Sequence, residues 1–196
     1  MTVTVVARRA ERHAAVRGEV VAAAWELASE RGLTGFGLRD VAAAIGMRAP
    51  SLYSYFPSKN AIYDAMFVDG NRAFLASIRS VKPTRSSRAT LIKATETFLA
   101  FCRADPPRQQ LLFQRVVPGF EPSPESYATA LACLEAARDL LAHMGRRQPW
   151  HLDLWTAVTA GLAAQQAAND PHGRRWVDLV PPAVDMFLTY TETDRA

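Results

Sequence analysis

Cysteine and histidine are scarce in this chain, which has two Cys and four His among 196 residues. Cys102 and Cys133 have neither the spacing of a zinc site nor the density of a disulfide-stapled domain. We therefore expect both thiols to be reduced and mostly buried. The four histidines are scattered, and none forms an H-x-x-x-H pair or sits at ligand spacing from a Cys or Glu. We expect no metal site.

Long hydrophobic runs are also missing. No apolar run reaches the roughly 18 residues that a membrane span needs. The N-terminal stretch MTVTVVARRAERH contains no long apolar region followed by small cleavage residues. Hydrophobic residues make up 49% of the chain and charged residues 21%, which is ordinary for a soluble globular protein. The sequence predicts a cytoplasmic protein that has no membrane partner.

The sequence motifs that usually carry catalysis are absent as well. There is no Gly-rich phosphate loop, no G-x-S-x-G nucleophile elbow and no pair of E-x-x-H motifs for a di-iron bundle. Ser51 and Ser54 have no candidate base nearby in the sequence. We expect neither enzymatic activity nor a cofactor.

The excess of positive charge is small and unevenly distributed. The net charge is +4, and residues 1–62 hold eight Lys and Arg against five Asp and Glu. Residues 63–196 hold fifteen against fourteen, so most of the excess lies in the first third. A basic excess of this size does not by itself identify a nucleic-acid-binding protein.

The most informative stretch is Leu38–Phe56, LRDVAAAIGMRAPSLYSYF. It reads as two short helices joined by a tight turn. Ala42 is small enough to let the two helices approach, and Gly46 supplies the backbone angles of a three- to four-residue turn. Leu52 anchors the second helix in the core. This arrangement predicts a helix-turn-helix, whose second helix can lie in the major groove of DNA.

We expect the second helix, Ala49–Phe56, to expose several side chains that end in polar groups. Tyr53 and Tyr55 are two residues apart, so they cannot both face the core. We expect Tyr53 to pack and give its hydroxyl to the backbone, while Tyr55 faces the groove together with Arg48, Ser51 and Ser54. A guanidinium can pair bidentately with guanine, yet it can equally hold a phosphate. Both roles stay open for Arg48.

The rest of the pattern is helical and predicts an all-α fold of about nine helices. Gly32 is predicted to end the first long helix, and prolines 181 and 182 to break or kink the last one. The helices are expected at about 13–31, 38–45, 49–56, 59–79, 88–104, 108–117, 124–144, 149–169 and 174–191. Residues 1–12, a basic segment, are expected to be a flexible arm that is disordered or loosely helical. It is either a solvated tail or an arm that adds phosphate or minor-groove contacts.

Residues Val16–Phe67 resemble the DNA-binding domain of TetR-family transcriptional regulators. The matching positions are Gly32, Arg39, Asp40, Val41, Ala42, Gly46, Leu52, Tyr53, Tyr55, Phe56, Ser58, Lys59 and Ile62. Gly37, Ile45, Arg48 and Asn60 depart from the family pattern. The resemblance implies an N-terminal three-helix helix-turn-helix domain, residues 1–62, and a helical ligand-binding and dimerisation domain, residues 63–196. The implied DNA-binding residues are Arg39, Arg48, Ala49, Ser51, Tyr53, Ser54, Tyr55 and Lys59.

The resemblance also implies a homodimer and a small-molecule effector. The expected dimer interface is Ala157, Ala160, Gly161, Ala164 and Ala168 together with Val177, Val184 and Phe187. Packing inside one subunit is the alternative for these small residues. The expected effector-binding residues are Phe98, Phe101, Cys102, Phe113, Met144, Trp150 and Trp155, for which ordinary core packing is the alternative.

We therefore expect a dimeric repressor that binds a palindromic double-stranded DNA operator and is released from it by a small apolar effector. The alternative is a helical small-molecule-binding module or minor enzyme whose helix-turn-helix is vestigial. Activation in place of repression fits the sequence equally well.

Overall fold

A computed structural model describes residues 2–192, with side chains from residue 7 onward. This part of the chain contains nine α-helices, one 3₁₀ turn and no strand, which confirms the all-α prediction. None of its helices is both long and apolar enough to cross a membrane. The helices are α1 Thr2–Arg31, α2 Leu38–Ala44, α3 Ala49–Leu52, α4 Lys59–Ser80, α5 Ser87–Ala104, α6 Pro106–Phe113, α7 Pro124–His143, α8 Pro149–Asn169 and α9 Val180–Glu192, with the 3₁₀ turn at Val177–Leu179.

Several helix ends follow directly from their capping residues. Gly32 ends α1 with a φ of +76°, a left-handed angle that favours glycine. The Ser58 hydroxyl accepts a bond of 3.1 Å from the Ala61 N–H and so caps α4. Prolines 181 and 182 lie in the first turn of α9, where no intrahelical N–H bond is lost. The last predicted helix is accordingly broken just before them.

The beginning of α1 differs from the prediction. The helix starts at Thr2 instead of about His13, so the basic segment expected to be a flexible arm is helical. The stretch ARRAERHAA in this region is rich in Ala, Arg and Glu, which are strong helix formers. Apolar periodicity begins only at Val16, and a prediction based on that periodicity alone places the start too late.

The described chain divides into two compact units. The first is Met1–Gly70 with Gln110–Tyr127, and the second is Asn71–Gln109 with Ala128–Ala196. Helices α4, α6 and α7 each begin in one unit and continue into the other. This division differs from the single boundary expected after residue 62, because a segment distant in sequence joins the N-terminal unit.

Hydrogen bonds to α4 explain why that distant segment belongs to the first unit. The Asp64 carboxylate accepts bonds from the Ser123 N–H (2.8 Å), the Ser123 hydroxyl (3.0 Å) and the Ser126 hydroxyl (2.7 Å). The Asn60 side-chain amide donates to the Gly119 carbonyl at 3.1 Å. A carboxylate that receives three donors holds the start of α7 firmly in place. No local sequence pattern signals this pairing.

The core of the first unit is built on α1, α2, α3 and α4. Val20, Leu52 and Phe56 are completely buried in it, and Ala42 is 1% exposed, in agreement with its predicted role of letting α2 pack closely. The Trp25 indole N–H donates to the Asp69 carboxylate at 2.9 Å and ties α1 to α4. The helix-turn-helix therefore rests on a rigid, well-packed base.

The second unit is centred on α5, which packs against α8 and α9. Leu91 and Val184 are completely buried between these helices, and the Trp155 and Phe187 rings lie 4.8 Å apart. At the surface, the Arg88 guanidinium makes two bonds of 2.6 and 3.0 Å to the Asp185 carboxylate. The buried residues among these contacts belong to one hydrophobic core.

A buried glutamine organises the connection between α8 and α9. Gln166 is 0% exposed, and its side-chain carbonyl accepts bonds from the backbone N–H groups of Trp176 (3.0 Å) and Val177 (3.2 Å). Its side-chain amide donates to the carbonyls of Asp170 and Gly173. One side chain thus satisfies four backbone groups of residues 170–177.

Candidate nucleic-acid interface

The start of the helix-turn-helix is held by an acidic side chain that turns back onto the protein. The Asp40 carboxylate accepts a bond of 2.7 Å from the Gly37 N–H and another of 3.3 Å from the Arg31 guanidinium. Gly37 is the N-cap residue of α2 and brings no side chain to the cap. The Asp40 side chain thus satisfies the backbone N–H of the N-cap residue from within the first turn, which is one half of a capping box.

The turn between α2 and α3 depends on Gly46, whose φ is +65°. This left-handed angle lets the Met47 N–H reach back to the Ala42 carbonyl at 2.8 Å. The prediction that Gly46 makes the turn is confirmed. Arg48 follows as the N-cap residue of α3, in an extended conformation with φ of −74° and ψ of 136°.

The recognition segment is shorter as a helix than predicted. Regular α-helix covers only Ala49–Leu52, and the following residues continue as turns up to Phe56. The N–H groups of Tyr55 and Phe56 both donate to the Leu52 carbonyl at 2.9 Å. Leu52 and Phe56 are completely buried, so the segment is anchored at two points despite its short helix.

Four predicted DNA-binding residues, Arg48, Ser51, Tyr53 and Ser54, are exposed on this anchored segment, and we call them the recognition surface. Tyr53 is 52% exposed. Arg39, near the start of α2, is exposed as well, whereas the predicted Ala49 is half-buried against the core.

The orientation expected for the two tyrosines is wrong. Tyr55 is half-buried, and its ring stacks on His13 with centroids 4.7 Å apart and an interplanar angle of 27°. Its carbonyl accepts a bond of 2.6 Å from the Arg17 guanidinium. Tyr53 is the exposed one, because Tyr55 is held on the side that faces α1. The tyrosine that gives its hydroxyl to a backbone carbonyl is Tyr63, which donates to Leu33.

Lys59 is engaged by the protein itself. Its ammonium donates to the Thr34 carbonyl at 3.2 Å and lies 4.6 Å from the centre of the Phe36 ring and 5.2 Å from that of Tyr63. Burial lowers the pKa of the Lys59 ammonium, and the Asp40 carboxylate opposes that shift. Lys59 joins the start of α4 to the loop before α2, and its predicted phosphate contact stays a prediction.

Two residues of α1 contact the recognition segment although no sequence pattern predicts it. His13 stacks on Tyr55, and the Arg17 guanidinium lies 4.1 Å above the Phe56 ring while it bonds to the Tyr55 carbonyl. Both contacts join residues about forty positions apart, which no local pattern reveals. The available signal is their four-residue spacing, which puts both side chains on one side of α1.

The charges of the helix-turn-helix suit a polyanion. Residues 38–59 contain the cations Arg39, Arg48 and Lys59, and their only acidic residue is Asp40. The Asp40 carboxylate is bonded to Gly37 and Arg31, so the guanidinium beside it offsets its negative charge. A short exposed segment that follows a tight turn, is anchored in the core and carries cations defines the class of helix-turn-helix DNA-binding domains.

Comparison with known proteins identifies the domain that contains the recognition surface. Residues 20–66 match the family model of bacterial regulatory proteins, tetR family. This segment is therefore a DNA-binding domain of the tetR type. It is 27% identical to the HTH-type transcriptional activator FasR of Mycolicibacterium smegmatis, over 64% of this chain and 58% of that protein. The match thus spans less than two thirds of the relative.

Solved structures share the fold. The TetR family transcriptional regulator PfmR of Thermus thermophilus has a TM-score of 0.63 at 20% identity, covering 87% of this chain and 97% of that one. The transcriptional regulator FadR of Bacillus subtilis, solved in complex with stearoyl-CoA, has a TM-score of 0.69 at 14% identity, with coverage of 87% and 97%. At these identities the similarity concerns the fold.

The residues expected to bind an effector are mostly packed inside the protein. Cys102, Met144 and Trp155 are buried in the core of the second unit, and Phe98 and Phe101 pack against it. Trp150 is half-buried beside His151, with ring centroids 4.1 Å apart. Phe113 belongs to the first unit and is 37% exposed, so it does not share the core of the others.

The second unit carries an open groove of about 620 Å³ at its surface. Phe101 is the one predicted effector residue in it, beside the apolar Leu99 and Val177. Charged residues line it too, namely the cations Lys93, Arg103 and Arg174 and the acid Glu96. The groove therefore combines an apolar floor with an excess of positive charge. Among residues 2–192 no three His, Cys, Asp or Glu side chains cluster as a metal site.

The predicted dimer residues on α8 and α9 behave differently. On α9, Val184 and Phe187 are 0% and 1% exposed and belong to the core of their own unit, so their assignment to a subunit surface is wrong. Val177 is half-buried against the same core. The residues of α8 are more accessible: Ala157, Ala160, Gly161 and Ala168 are exposed, and Ala164 is half-exposed.

The outward side of the last segment carries other apolar residues. Leu179, Met186 and Tyr190 are 42%, 59% and 64% exposed. Residues 180, 184, 187 and 191 form the buried line of α9, and residues 186 and 190 lie on its other side. Both sides of α9 are apolar, so the sequence pattern does not distinguish its buried side from its exposed side. We call exposed residues 157, 160, 161, 168, 179, 186 and 190 the α8–α9 face.

Proposed function

We propose that this protein is a transcriptional regulator that binds a palindromic DNA operator as a homodimer. The observation that carries the proposal is the recognition surface, Arg48, Ser51, Tyr53 and Ser54, held by the buried Leu52 and Phe56. A rigid segment with exposed hydrogen-bonding side chains fits the major groove, where each base pair presents a distinct pattern of donors and acceptors.

The first experiment is the selection of bound duplexes from a random DNA pool by the purified full-length protein. We expect enrichment of a palindrome whose half-sites are about one helical turn apart, because two recognition surfaces of a dimer read two half-sites. No enrichment at low salt would contradict DNA reading. It would favour a small-molecule-binding module with a vestigial helix-turn-helix.

The same operator tests the role of Arg48. If its guanidinium reads a guanine, Arg48→Ala weakens binding to the operator by about 5- to 100-fold per half-site and weakens binding to unrelated DNA much less. Arg85→Ala is the matched control, since Arg85 is an exposed arginine of the second unit. An equal loss on all sequences would make Arg48 a phosphate contact.

The dimer part of the proposal is supported by the α8–α9 face. Small exposed residues on α8 let a second helix come close, and Met186 and Tyr190 on α9 offer large apolar side chains. Exposed apolar patches of this kind commonly mark protein–protein interfaces. Two copies of α8 and α9 would then pack as four helices.

The regulatory part of the proposal is repression that a small molecule relieves. Support for a ligand comes from the open groove of the second unit and from the FadR neighbour, whose structure contains stearoyl-CoA. The groove joins apolar residues to Lys93, Arg103 and Arg174, which suits an amphipathic anion. A ligand shifts DNA binding only if it binds the free and DNA-bound states with different affinity.

A transcription assay with the selected operator tests repression and relief. We expect the protein to lower transcript levels, and stearoyl-CoA, used as a probe, to restore them and to release the DNA. A rise in transcript would make the protein an activator, as the relative FasR is named. Unchanged DNA binding at saturating stearoyl-CoA would exclude this acyl-CoA as the effector.

A further inference from the structure

The N-terminal part of α1 protrudes beyond the packed protein. Every residue from 7 to 15 is exposed, a length of about two and a half helical turns. Burial begins only at Val16 and becomes complete at Val20. A helical stretch without a buried face gains little stability in water, so a partner that covers it would stabilise it. We call residues 7–15 the basic extension.

The orientation of the basic extension is set by two contacts with the recognition segment. His13 stacks on the Tyr55 ring, and Arg17 bonds to the Tyr55 carbonyl. Arg9 precedes His13 by four residues and Arg17 follows it by four, so all three side chains lie along one side of the helix. Arg9 is therefore about one turn, roughly 6 Å, beyond the contact with Tyr55.

The charges of the basic extension are sorted by side. Arg12 lies about 60° around the helix from Arg9, on the side next to the His13 line. The only acidic residue of the extension, Glu11, lies about 160° from His13, on the opposite side. Arg8 lies between these two sides. The side of the helix that contains His13 and Arg9, with Arg12 next to them, thus carries arginines and no acidic residue.

We propose that the basic extension binds the DNA phosphate backbone next to the half-site that the recognition surface reads. This inference rests on the proposed DNA-binding function and adds a second contact region to it. Arg9 follows the line of His13 and Arg17, and Arg12 lies beside that line. Both arginines are exposed and match the charge of the backbone. Phosphate contacts position the protein, and they extend the footprint beyond the bases that it reads.

The test measures how operator affinity depends on salt for the wild-type protein and for Arg9→Gln/Arg12→Gln. Glutamine keeps a helix propensity close to that of arginine, so the variant retains α1. The slope of log K against log[salt] is negative, and each lost phosphate contact makes it less steep by about 0.9. We expect the slope of the double variant to be less steep by about two per protomer. Its affinity at low salt should be lower on all sequences.

The length of the duplex provides an independent readout. A duplex that ends at the outer edge of each half-site is compared with one extended by about ten base pairs on each side, roughly one helical turn. We expect the wild-type protein to bind the longer duplex more tightly and the double variant to show a smaller gain. Arg85→Gln, at an exposed arginine of the second unit, is the control, and it should keep the wild-type salt slope and the wild-type gain.

The possible failures are distinguishable. A wild-type protein that selects no operator overturns the proposed function itself. A wild-type protein that binds its operator, together with a double variant of unchanged slope and unchanged length dependence, overturns this inference and leaves the proposed function standing. Circular dichroism of the double variant in the far ultraviolet checks that α1 is intact.

Discussion

The side chains of Tyr63 and Tyr53 lie in opposite surroundings, one buried and one exposed. Tyr63 is 1% exposed and donates its hydroxyl to the Leu33 carbonyl, whereas Tyr53 is 52% exposed on the recognition surface. Tyr63→Phe leaves that carbonyl without its side-chain donor, so we expect the free energy of unfolding in urea to fall by about 1–3 kcal/mol. Tyr53→Phe is the control and should change it by less than about 0.5 kcal/mol. Equal effects would contradict the assignment.

The pH dependence of stability gives a second readout for Tyr63. Burial raises the pKa of its phenol to about 12, from about 10 in the unfolded chain. Because the folded-state value is the higher one, this contribution to stability is complete below about pH 10 and is lost as the pH rises toward about 12. Tyr63→Phe should remove this part of the alkaline destabilisation.

At the scale of elements, Gln166 decides how α8 is connected to α9. Gln166→Ala leaves the Trp176 and Val177 N–H groups without their acceptor, so we expect a loss of at least about 2 kcal/mol in the free energy of unfolding. Gln165→Ala is the matched control, because Gln165 is exposed and accepts a surface bond from Asn169. A comparable loss in both variants would contradict the role assigned to the buried side chain, since Gln→Ala does not lower helix propensity.

Element ends are predictable where one residue type decides them. The sequence predicts a helix over residues 149–169, and α8 has those bounds, since Pro149 begins it and Asp170–Pro171 follow it. The start of α1 escapes prediction because strong helix formers extend it without apolar periodicity. The buried side of α9 is not predictable, since apolar residues occupy both sides and only tertiary packing chooses between them.

The candidate site follows the same rule. The turn at Gly46 and the anchor at Leu52 are local, and the sequence spacing locates both. The direction of Tyr55 depends on His13 and Arg17, which are far away in the sequence. Local patterns therefore identify the recognition segment, while contacts between distant residues determine which tyrosine it exposes.

For the whole molecule, the proposed homodimer can be tested at the α8–α9 face. We expect Ala160→Glu and Met186→Glu, each on this face, to convert the proposed dimer into monomers, because each would place a charge in an apolar contact. Light scattering after size-exclusion chromatography measures the mass. Ala76→Glu, at an exposed position of α4, is the control. A dimer that survives both substitutions would exclude this face as the interface.

The path of the chain between its two units has a consequence for engineering. The polypeptide passes from one unit to the other three times, each time inside a helix, α4, α6 or α7. The first unit, which contains the helix-turn-helix, is therefore not one continuous segment and cannot be separated by a single cut. In a chimaera joined only at residue 70, Asp64 would come from this protein and the start of α7 from the other parent. The bonds between Asp64 and residues Ser123 and Ser126 would then be lost unless that parent supplies the same donors. To exchange the DNA-binding unit between such regulators, residues 110–127 must be transferred together with residues 1–70.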